Sequence, residues 1–562
     1  MKLNKLLLTA GALAMCGTLT WAEEFGDFGG FDDESSDCAA SKIEVSGGAD
    51  LDFRAYVDID EADADKVDVE ATPSANLELK YSGNKSDVEI SFKIDEDTIK
   101  NHPEDVIDEA VLRGRLGDYF TIEAGKMKVV WGKGDKLHVL DNFNADDYTD
   151  FIIPDYLDRR ISTPMIRGIV SLPVANLNVE GIYTPLLPVD RFATDGRWTP
   201  AQVNALTGFV TESAKAKLTA STKQLELIRK EATEAETLKA LATAGNTDAL
   251  TALTAMVTEA YTSGKISYSN EEVAAVLIDL GVNPLSPTDL QKLQAAQAVL
   301  ADKYEAYLTD AFEAAETDYT LCLANANSLS ANPDVIYPNL WTLKYGQFGA
   351  RATWTIGQVD MGVSYYNGWY KQPSVNASKI NGFLTSYLAD GEVEESEKFL
   401  AYDKKQTFGL EASTVIWHFN VRGEFAYNLT DDIDGTDPWV HNNSIAWLGG
   451  FDIDLPFWNA NLNVQETGSY ILNGAEGDTN TNNKIVCNLT ASFLNDKITP
   501  EVTVLYGIEN KDLVVMPKLA FKADQNLTLT ASGMYIWCGD DDSEFKEWER
   551  NSFVSISASY TF

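Results

Sequence analysis

The clearest feature of the sequence is an alternation of apolar and polar residues that begins near residue 49 and returns through much of the chain. Leu51 and Phe53 fall on one side of this pattern, and Asp52 and Arg54 fall on the other. Alternation with a period of two is typical of a strand with one apolar face. The same pattern recurs in three later segments: 87–94, 407–414 and 418–428.

The pattern predicts about eighteen strands, with sixteen as the alternative count because the segment 108–116 is weakly patterned. The predicted strands are 49–59, 72–81, 87–95, 108–116, 119–129, 163–172, 175–185, 341–356, 358–367, 405–416, 418–428, 444–455, 458–466, 484–494, 499–508, 513–523, 526–537 and 552–562. Strands of about ten residues exceed the usual length in soluble sheets and suit a tilted strand that crosses a membrane. Short and long connections also alternate, as they do in outer-membrane barrels. The sequence therefore predicts an all-β, antiparallel transmembrane barrel.

The N-terminus has the features of a secretory signal peptide over residues 1–22. Lys2 and Lys5 precede a short apolar core, and Ala22 closes a plausible cleavage site. In the alternative interpretation Cys16 lies in a relaxed lipidation box, as in a lipoprotein. Residues 23–44 are acidic and rich in Gly and Phe, which predicts a disordered segment. No later segment is apolar enough, over about 18 residues, to predict a transmembrane helix.

One long segment, 196–335, differs from the rest because its apolar residues follow helical spacing. It separates a first set of barrel strands at 45–195, which includes a long loop at 130–162, from a second set at 336–562. Thr199-Pro200 and Ser286-Pro287 are typical of helix starts, and Ser269 with Glu272 forms a capping box. These signals predict a bundle of three or four helices, which the strand count places outside the cell.

Composition excludes several classes of function. The net charge of −42 and the pI of about 4.3 would repel nucleic acids. The 4 His and 5 Cys show no metal spacing and no C-x-x-C, so neither a metal nor another cofactor is expected. The acidic runs 432–435 and 540–542 do not complete a calcium loop. No hydrolase or phosphate-binding motif is present, so the chain is not expected to be an enzyme.

The polar face of the predicted strands carries both signs of charge. The candidate lumen residues are Arg113, Arg115, Arg167, Arg351, Arg422 and Glu424. A barrel of 16–18 strands is wide enough to hold water, and charged rings can then set selectivity. Alternatively, these charges pair with one another and with an inserted loop. The two interpretations are compatible.

The most distinctive segment runs from 126 to 162. Its candidate constriction residues are Lys126, Trp131, Gly132, Asp135, Asp141, Asn144 and Asp147. Together with Gly125 they match a G-(K/R)-x-x-x-x-W-G-x-x-D run followed by D-x-x-N-x-x-D. In these residues the sequence resembles a family of large outer-membrane barrels of unassigned function. The long helical insertion departs from that family's plan.

The physical interpretation of this segment leaves two roles open. Gly132 permits a sharp bend, and the side chains of Asp141, Asn144 and Asp147 can accept backbone hydrogen bonds in Asx-type turns. The segment is then either a latch that stabilises the barrel or a constriction that contacts the solute.

The last strand ends the chain on an alternating aromatic pattern that includes Tyr560 and Phe562. It resembles the terminal strand that the outer-membrane assembly machinery recognises. The expected partners are therefore outer-membrane lipids, that machinery and an extracellular partner of the helical insertion. The expected location is the outer membrane of a diderm bacterium, with both barrel ends periplasmic.

The predicted function is a channel or passive transporter for small polar solutes. The alternative is a surface-display protein or adhesin, in which the barrel is an anchor and the helical insertion binds a partner.

Overall fold

The computed structural model describes residues 43–57, 68–474, 480–541 and 543–562. The predicted signal peptide and almost all of the predicted acidic segment lie outside these residues. The chain divides into two compact units. The barrel unit comprises the described residues up to Asn204 together with Asn339–Val375 and Ala401–Phe562, and the helical unit comprises Ala205–Pro338 and Asn376–Leu400.

The barrel unit is a closed, 18-stranded antiparallel sheet. Its strands, in chain order, are β1 (Ile43–Tyr56), β2 (Asp68–Ser82), β3 (Ser86–Ile94), β4 (Ile107–Leu116), β5 (Phe120–Met127), β6 (Thr163–Leu172), β7 (Leu177–Thr184), β8 (Gln347–Ile356), β9 (Val359–Trp369), β10 (Lys404–Ile416), β11 (Phe419–Leu429), β12 (Ser444–Asp454), β13 (Asn461–Ile471), β14 (Thr481–Thr490), β15 (Ile498–Gly507), β16 (Asp512–Lys522), β17 (Leu527–Cys538) and β18 (Phe553–Thr561). The predicted fold class and the count of eighteen strands are confirmed, so the alternative count of sixteen is not needed.

Each strand pairs with its neighbours along the chain, and the barrel closes between its first and last strands. Gly48 of β1 lies opposite Thr561 of β18, and Tyr56 lies opposite Phe553. Closure leaves none of the eighteen described strands with a free edge, so these strands can satisfy their backbone groups within the sheet, as a membrane requires.

The connections alternate in length as the sequence pattern predicts. Short turns such as those at Gly117 and Gly357 use positive φ angles of 70° and 65°, which glycine adopts without strain. The longer loops at the other end carry their own structure. They include α1 (Glu96–Lys100) and α2 (Tyr156–Arg159), which the alternation did not predict.

The helical unit contains α3 (Ala201–Thr243), α4 (Thr247–Thr262), α5 (Asn270–Asp279), α6 (Asp289–Ala331) and α7 (Ala377–Asp390). The predicted capping box of Ser269 with Glu272 begins α5. The predicted start of α6 at Ser286-Pro287 is wrong, because Thr288 caps this helix and forms a capping box with Gln291.

The helical unit has hydrophobic clusters of its own. In one of them the fully buried Phe383 and Leu384 of α7 belong to the same cluster as Val210 of α3 and Leu329 of α6. The helix α7 comes from the loop between β9 and β10, far from the predicted insertion, so the unit is assembled from two separate loops. None of the described helices is long and apolar enough to cross a membrane.

Candidate functional site

The two faces of the barrel wall differ in chemistry, as the alternation requires. Outward positions carry exposed apolar side chains such as Phe53, Leu410 and Val554. Inward positions carry polar ones, among them Glu123, Glu411 and Gln465, which are buried. An apolar exterior around a charged interior is the arrangement of a barrel that spans a membrane.

The loop between β5 and β6, residues 128–162, folds into the lumen and is called the lumen loop below. Its first half crosses the barrel. Lys136 and Leu137 donate backbone hydrogen bonds of 3.2 Å to Oε1 of Gln465 on β13, which lies eight strands from β5 in the ring of 18. The loop therefore reaches nearly the opposite wall.

Glu424, an inward residue of β11, is the main anchor of the lumen loop. Its Oε1 accepts the backbone N–H of Lys133 at 2.6 Å and that of Gly134 at 2.7 Å, and its Oε2 accepts the N–H of Val139 at 2.9 Å. Nδ1 of His138 lies 3.5 Å from Oε1. A buried carboxylate needs several donors to offset its lost hydration, and the loop backbone supplies three of them.

Gly132 is required where the loop meets this carboxylate. Its φ is +116°, and a Cβ there would lie 2.3 Å from Oε1 of Glu424. The Gly in the W-G-x-x-D motif therefore has a steric role that the sequence did not reveal.

The tip of the loop is held by charge. Asp135 forms an ion pair with Arg422 of β11, and its Oδ2 accepts a 2.6 Å hydrogen bond from Nδ2 of Asn463 on β13. Both partners lie near the short-turn ends of their strands, so the tip reaches past the middle of the barrel.

An aromatic cluster fixes the loop against a second part of the wall. The rings of Trp131 and Phe143 are 5.0 Å apart, and Phe143 packs edge-on against Tyr366 of β9 at 5.2 Å. A Cβ on Gly349 of β8 would lie 2.9 Å from both Trp131 and Phe143. The missing side chain on the wall makes room for these rings.

Asn144 closes the base of the loop. Its Oδ1 accepts the N–H of Val129 at 2.8 Å, and its Nδ2 donates to the carbonyls of Met127 at 3.0 Å and Ile161 at 2.9 Å. This single buried amide joins the strand that enters the loop to the segment that leaves it. Asp147 forms a local turn by accepting the N–H and the hydroxyl of Thr149.

Asp141 lies in a buried polar cluster within the loop. It forms an ion pair of 2.8 Å with Arg160 and accepts a hydrogen bond from the hydroxyl of Tyr156. Burial raises the pKa of Asp141, although Arg160 and Tyr156 act in the opposite direction. Burial also raises the pKa of Tyr156, so this hydroxyl stays protonated and donates to the carboxylate.

The second half of the lumen loop contacts the wall near the closure of the barrel. Nη1 of Arg54 on β1 lies 2.6 Å from Oδ1 of Asp150. The ring of Phe151 stacks on Trp198 at 5.0 Å and 6° and packs edge-on against Phe545. The loop is thus fastened to several separate parts of the wall.

A second feature of the inner wall is a row of alternating charges, called the charge ladder below. It runs through Asp87, Arg113, Glu123, Arg167, Glu180, Arg351 and Glu411, on strands from β3 to β10. Its contacts include 2.6 Å between Arg113 and Glu123 and 3.3 Å between Arg167 and Glu123.

The ladder skips β9 because that strand carries glycine in the row. A Cβ on Gly362 would lie 2.7 Å from Oε1 of Glu411. The carboxylate of Glu411 therefore lies over Gly362 and reaches Arg351 on β8. Arg115 pairs with Asp87 beside the ladder.

The structure does not bring every predicted site residue together. Lys126 belongs to the outward register of β5, and its Nζ binds Asp105 at 2.8 Å and the carbonyls of Glu104 and Ile107. It therefore ties the end of β5 to a neighbouring loop instead of facing the lumen.

The C-terminal residues lie in the closing strand. Tyr560 is exposed on the outward face of β18. Phe562 and Gly47 exchange backbone hydrogen bonds of 3.0 and 3.2 Å, and a Cβ on Gly47 would lie 2.8 Å from the ring of Phe562. The terminal aromatic residue thus completes the seam of the barrel.

Several residues of the site were not predicted from the sequence. Gln465 and Asn463 of β13 contact the lumen loop, and His138 and Tyr156 lie within it. The alternation places Gln465 and Asn463 on the inward face, where uncharged polar residues are common, but it does not show that a loop packs on them. Within the described residues, no group of three or more His, Cys, Asp or Glu could hold a metal ion.

The fold and interior define a transmembrane β-barrel with a loop inserted in its lumen. No protein-family model matches the sequence, and no curated protein matches it. The predicted membership in the W-G-x-x-D barrel family therefore stays a prediction.

Among solved structures, the chain is similar to outer-membrane porins. A BenF-like porin from Pseudomonas fluorescens Pf-5 is 9% identical, with 93% of this chain and 98% of that chain covered and a TM-score of 0.38. OpdQ of Pseudomonas aeruginosa is 7% identical at the same coverage, with a TM-score of 0.40. Salmonella typhi OmpF in complex with daunomycin is 8% identical at the same coverage, with a TM-score of 0.35. At these values the similarity concerns barrel architecture only.

Proposed function

We propose that this protein is an outer-membrane channel for small polar solutes, in which the lumen loop sets the size of the passage. The observation that carries the proposal is the uneven accessibility of the inner wall. Inward residues under the loop, such as Glu411 and Glu424, are almost fully buried, with side-chain exposures of 1% and 0%. Lys80 and Arg115, on β2 and β4, have side-chain exposures of 42% and 44%.

Water-accessible positions of both charges therefore remain on the inner wall of β2, β4 and β16. Glu78 and Lys80 are two of them on β2, near the short-turn end of that strand, and Lys518 of β16 is 47% exposed. Charged groups on the wall of a water-filled lumen attract and orient small polar solutes. The arrangement supports passage of small molecules with polar or charged groups, without fixing their identity.

Planar-bilayer conductance of the purified, folded barrel tests the channel proposal. The wild-type barrel should give discrete conductance steps. A variant in which a short Gly-Ser linker replaces residues 131–158 should give steps several times larger, because the loop no longer occupies the lumen. A matched control shortens the loop 430–443 instead and should leave the step size unchanged. Absence of conductance in both the wild type and the loop-deleted barrel, with folding verified, would overturn the proposal.

We also propose the location that this function requires: the outer membrane of a diderm bacterium, with both barrel ends periplasmic and the helical unit outside. In this topology the terminal strand with Tyr560 and Phe562 is read by the barrel assembly machinery. Protease added to intact cells should then cut within 205–338 first. If the protease cuts there only after the periplasm is opened, the helical unit lies on the periplasmic side and the proposed topology is wrong.

A second candidate function is surface display, in which the barrel anchors the helical unit as a binding module. It is supported by the separate hydrophobic clusters of that unit and by exposed apolar residues on it, such as Leu227 and Leu293. A folded barrel that never conducts, combined with specific cell-surface binding that is lost when the helical unit is removed, would favour this function over the channel.

A further inference from the structure

The outward face of the barrel carries a charge where lipid would be expected. Glu466 is the sixth of the eleven residues of β13, and its register neighbours Gly449 and Ile485 share its outward orientation. The other charged residues on outward registers of the described strands, Lys126 and Lys404, lie at the loop ends of β5 and β10. Glu466 is therefore at mid-depth in the apolar belt.

Among the described residues, one side chain donates a hydrogen bond to Glu466. Nε1 of Trp447, on β12, donates to Oε1 of Glu466 at 3.3 Å. The indole lies over Gly468, where a Cβ would come within 2.2 Å of the ring. This bond orients the carboxyl group, but a single long donor does not offset the loss of water around it.

Next to Glu466 the surface is indented. Gly449 of β12 lies opposite Gly423 of β11 on one side and opposite Glu466 of β13 on the other. No atom lies within 4 Å of a Cβ built on Gly449. Phe425 and Trp447 border this row towards the long loops, and Phe451 borders it towards the short turns. The result is a glycine-floored groove with an acidic side chain at one end.

A charged group on the lipid face of a barrel is destabilising, most of all near the middle of the bilayer, although the effect is smaller for Glu than for Lys or Arg. Protein that covers the group removes the contact with hydrocarbon. Copies of one chain insert with the same orientation, so the symmetry axis that relates them runs along the membrane normal. Any residue then meets partner residues at its own depth.

We propose that a second copy of this chain covers this face, forming a two-fold dimer in which each Glu466 enters the Gly449–Gly423 groove of the other barrel. In a two-fold interface the same surface patch of each copy makes the contact. The projecting side chain, Glu466, and the groove that receives it must therefore both lie on this patch, as they do here. Small residues allow the two backbones to approach closely.

The second copy also supplies a suitable polar partner. Two Glu466 carboxyl groups that meet near the axis can share one proton in a charge-assisted O–H···O hydrogen bond. The pair then carries one negative charge instead of two. Lipid offers no such acceptor at this depth. The dimer does not depend on whether the barrel conducts.

Disulfide cross-linking in membranes tests the contact directly. Cys487 also faces outward, on β14, so it is first replaced by Ala. In that background, Gly449→Cys should form a cross-linked dimer on mild oxidation. Gly181→Cys is the matched control, because Gly181 is an outward glycine on β7, away from this face. It should stay monomeric.

Loss of the carboxyl group tests the role of Glu466. Glu466→Leu suits a lipid-facing position, so it preserves folding, but it should weaken dimerisation about tenfold or more, since truncating a buried hydrogen-bonded charge is costly. Gly449→Leu fills the groove and should have the same effect without a change in charge. Both are read from the dimer fraction after purification in mild detergent.

Three results would overturn the proposal. One is a monomeric wild-type protein with no cross-link at Gly449→Cys. Another is a dimer that Glu466→Leu and Gly449→Leu leave unchanged. The third is a cross-linked species whose mass shows a different protein in place of a second copy.

Discussion

Glu424 accepts the backbone N–H of Gly134 at 2.7 Å, a contact that joins residues 290 positions apart in the sequence. It lies inside the barrel and fixes the lumen loop to β11, six strands around the ring from β5. The carboxylate thus belongs to the site in two ways, as a lumen residue and as the anchor of the loop.

Glu424→Ala should release the tip of the lumen loop. Three backbone N–H groups would lose their acceptor, and we expect the free energy of unfolding in urea to fall by about 2–4 kcal/mol. The conductance should become larger and noisier as the loop moves. Glu424→Gln keeps one acceptor oxygen and should lie between wild type and Glu424→Ala. Glu89→Ala, on the open wall, is the control, and an equal effect there would contradict the anchor role.

Gly132→Ala should disturb the loop for steric reasons. The new Cβ would collide with the Glu424 carboxylate, and the φ of +116° is unfavourable for alanine. Gly117→Ala also changes a positive-φ glycine, but it meets no atom within 4 Å. Thermal unfolding should therefore show a larger loss of stability for Gly132→Ala than for Gly117→Ala. Equal losses would mean that backbone strain alone matters at Gly132.

Arg351→Met should break the charge ladder between Glu180 and Glu411. The carboxylate of Glu411, with 1% side-chain exposure, would lose its ion-pair partner, and such a loss costs about 3–5 kcal/mol. The double variant Arg351→Met/Glu411→Leu removes both charges, while Glu180 keeps Arg167. Urea unfolding of the double variant should recover most of the lost stability. No recovery would show that the two residues act independently.

The contact of Asp105 with Lys126 and Arg191 should make stability depend on pH. Burial alone would raise the pKa of Asp105, but the hydrogen bonds from Lys126 and Arg191 outweigh it and hold the pKa below the usual 3.8. A carboxyl group with a depressed folded pKa stabilises the protein above its unfolded pKa and loses that contribution as the pH falls through the folded pKa. Asp105→Asn should therefore be less stable than wild type at pH 7. The difference should begin to shrink as the pH falls towards about 3.8, the usual pKa of Asp, and should vanish only below the lower folded pKa of Asp105. A difference that stays constant to low pH would contradict this origin.

Excision of the helical insertion alone should expose apolar surface. Without 205–338, the buried residues Phe383 and Leu384 of α7 lose the partners Val210 and Leu329. We expect this variant to aggregate or to be cut rapidly at 376–400. Removal of both segments, each replaced by a short linker, should leave a heat-modifiable barrel. If the variant that lacks only 205–338 were the more stable of the two, α7 would fold without the insertion.

The sequence determined the local and repetitive features of this protein. Alternation at residues such as Leu51 and Asp52 reports the two environments of a membrane strand directly, so strand number and loop asymmetry followed from the pattern. The capping box of Ser269 and Glu272 was likewise readable, because it depends on residues only three positions apart.

Only the tertiary structure decided which distant residues meet. The pairing of Glu424 with the lumen loop, the passage of Glu411 over Gly362 and the recruitment of α7 to the helical unit all join segments that are far apart in sequence. The sequence does not distinguish an inward Gln or Gly that packs against a loop from one that faces water. Glu466 shows the same limit on the outer face: its phase with Leu462 and Val464 was readable in the sequence, but only the register of the closed barrel sets it beside Gly449 and Gly423.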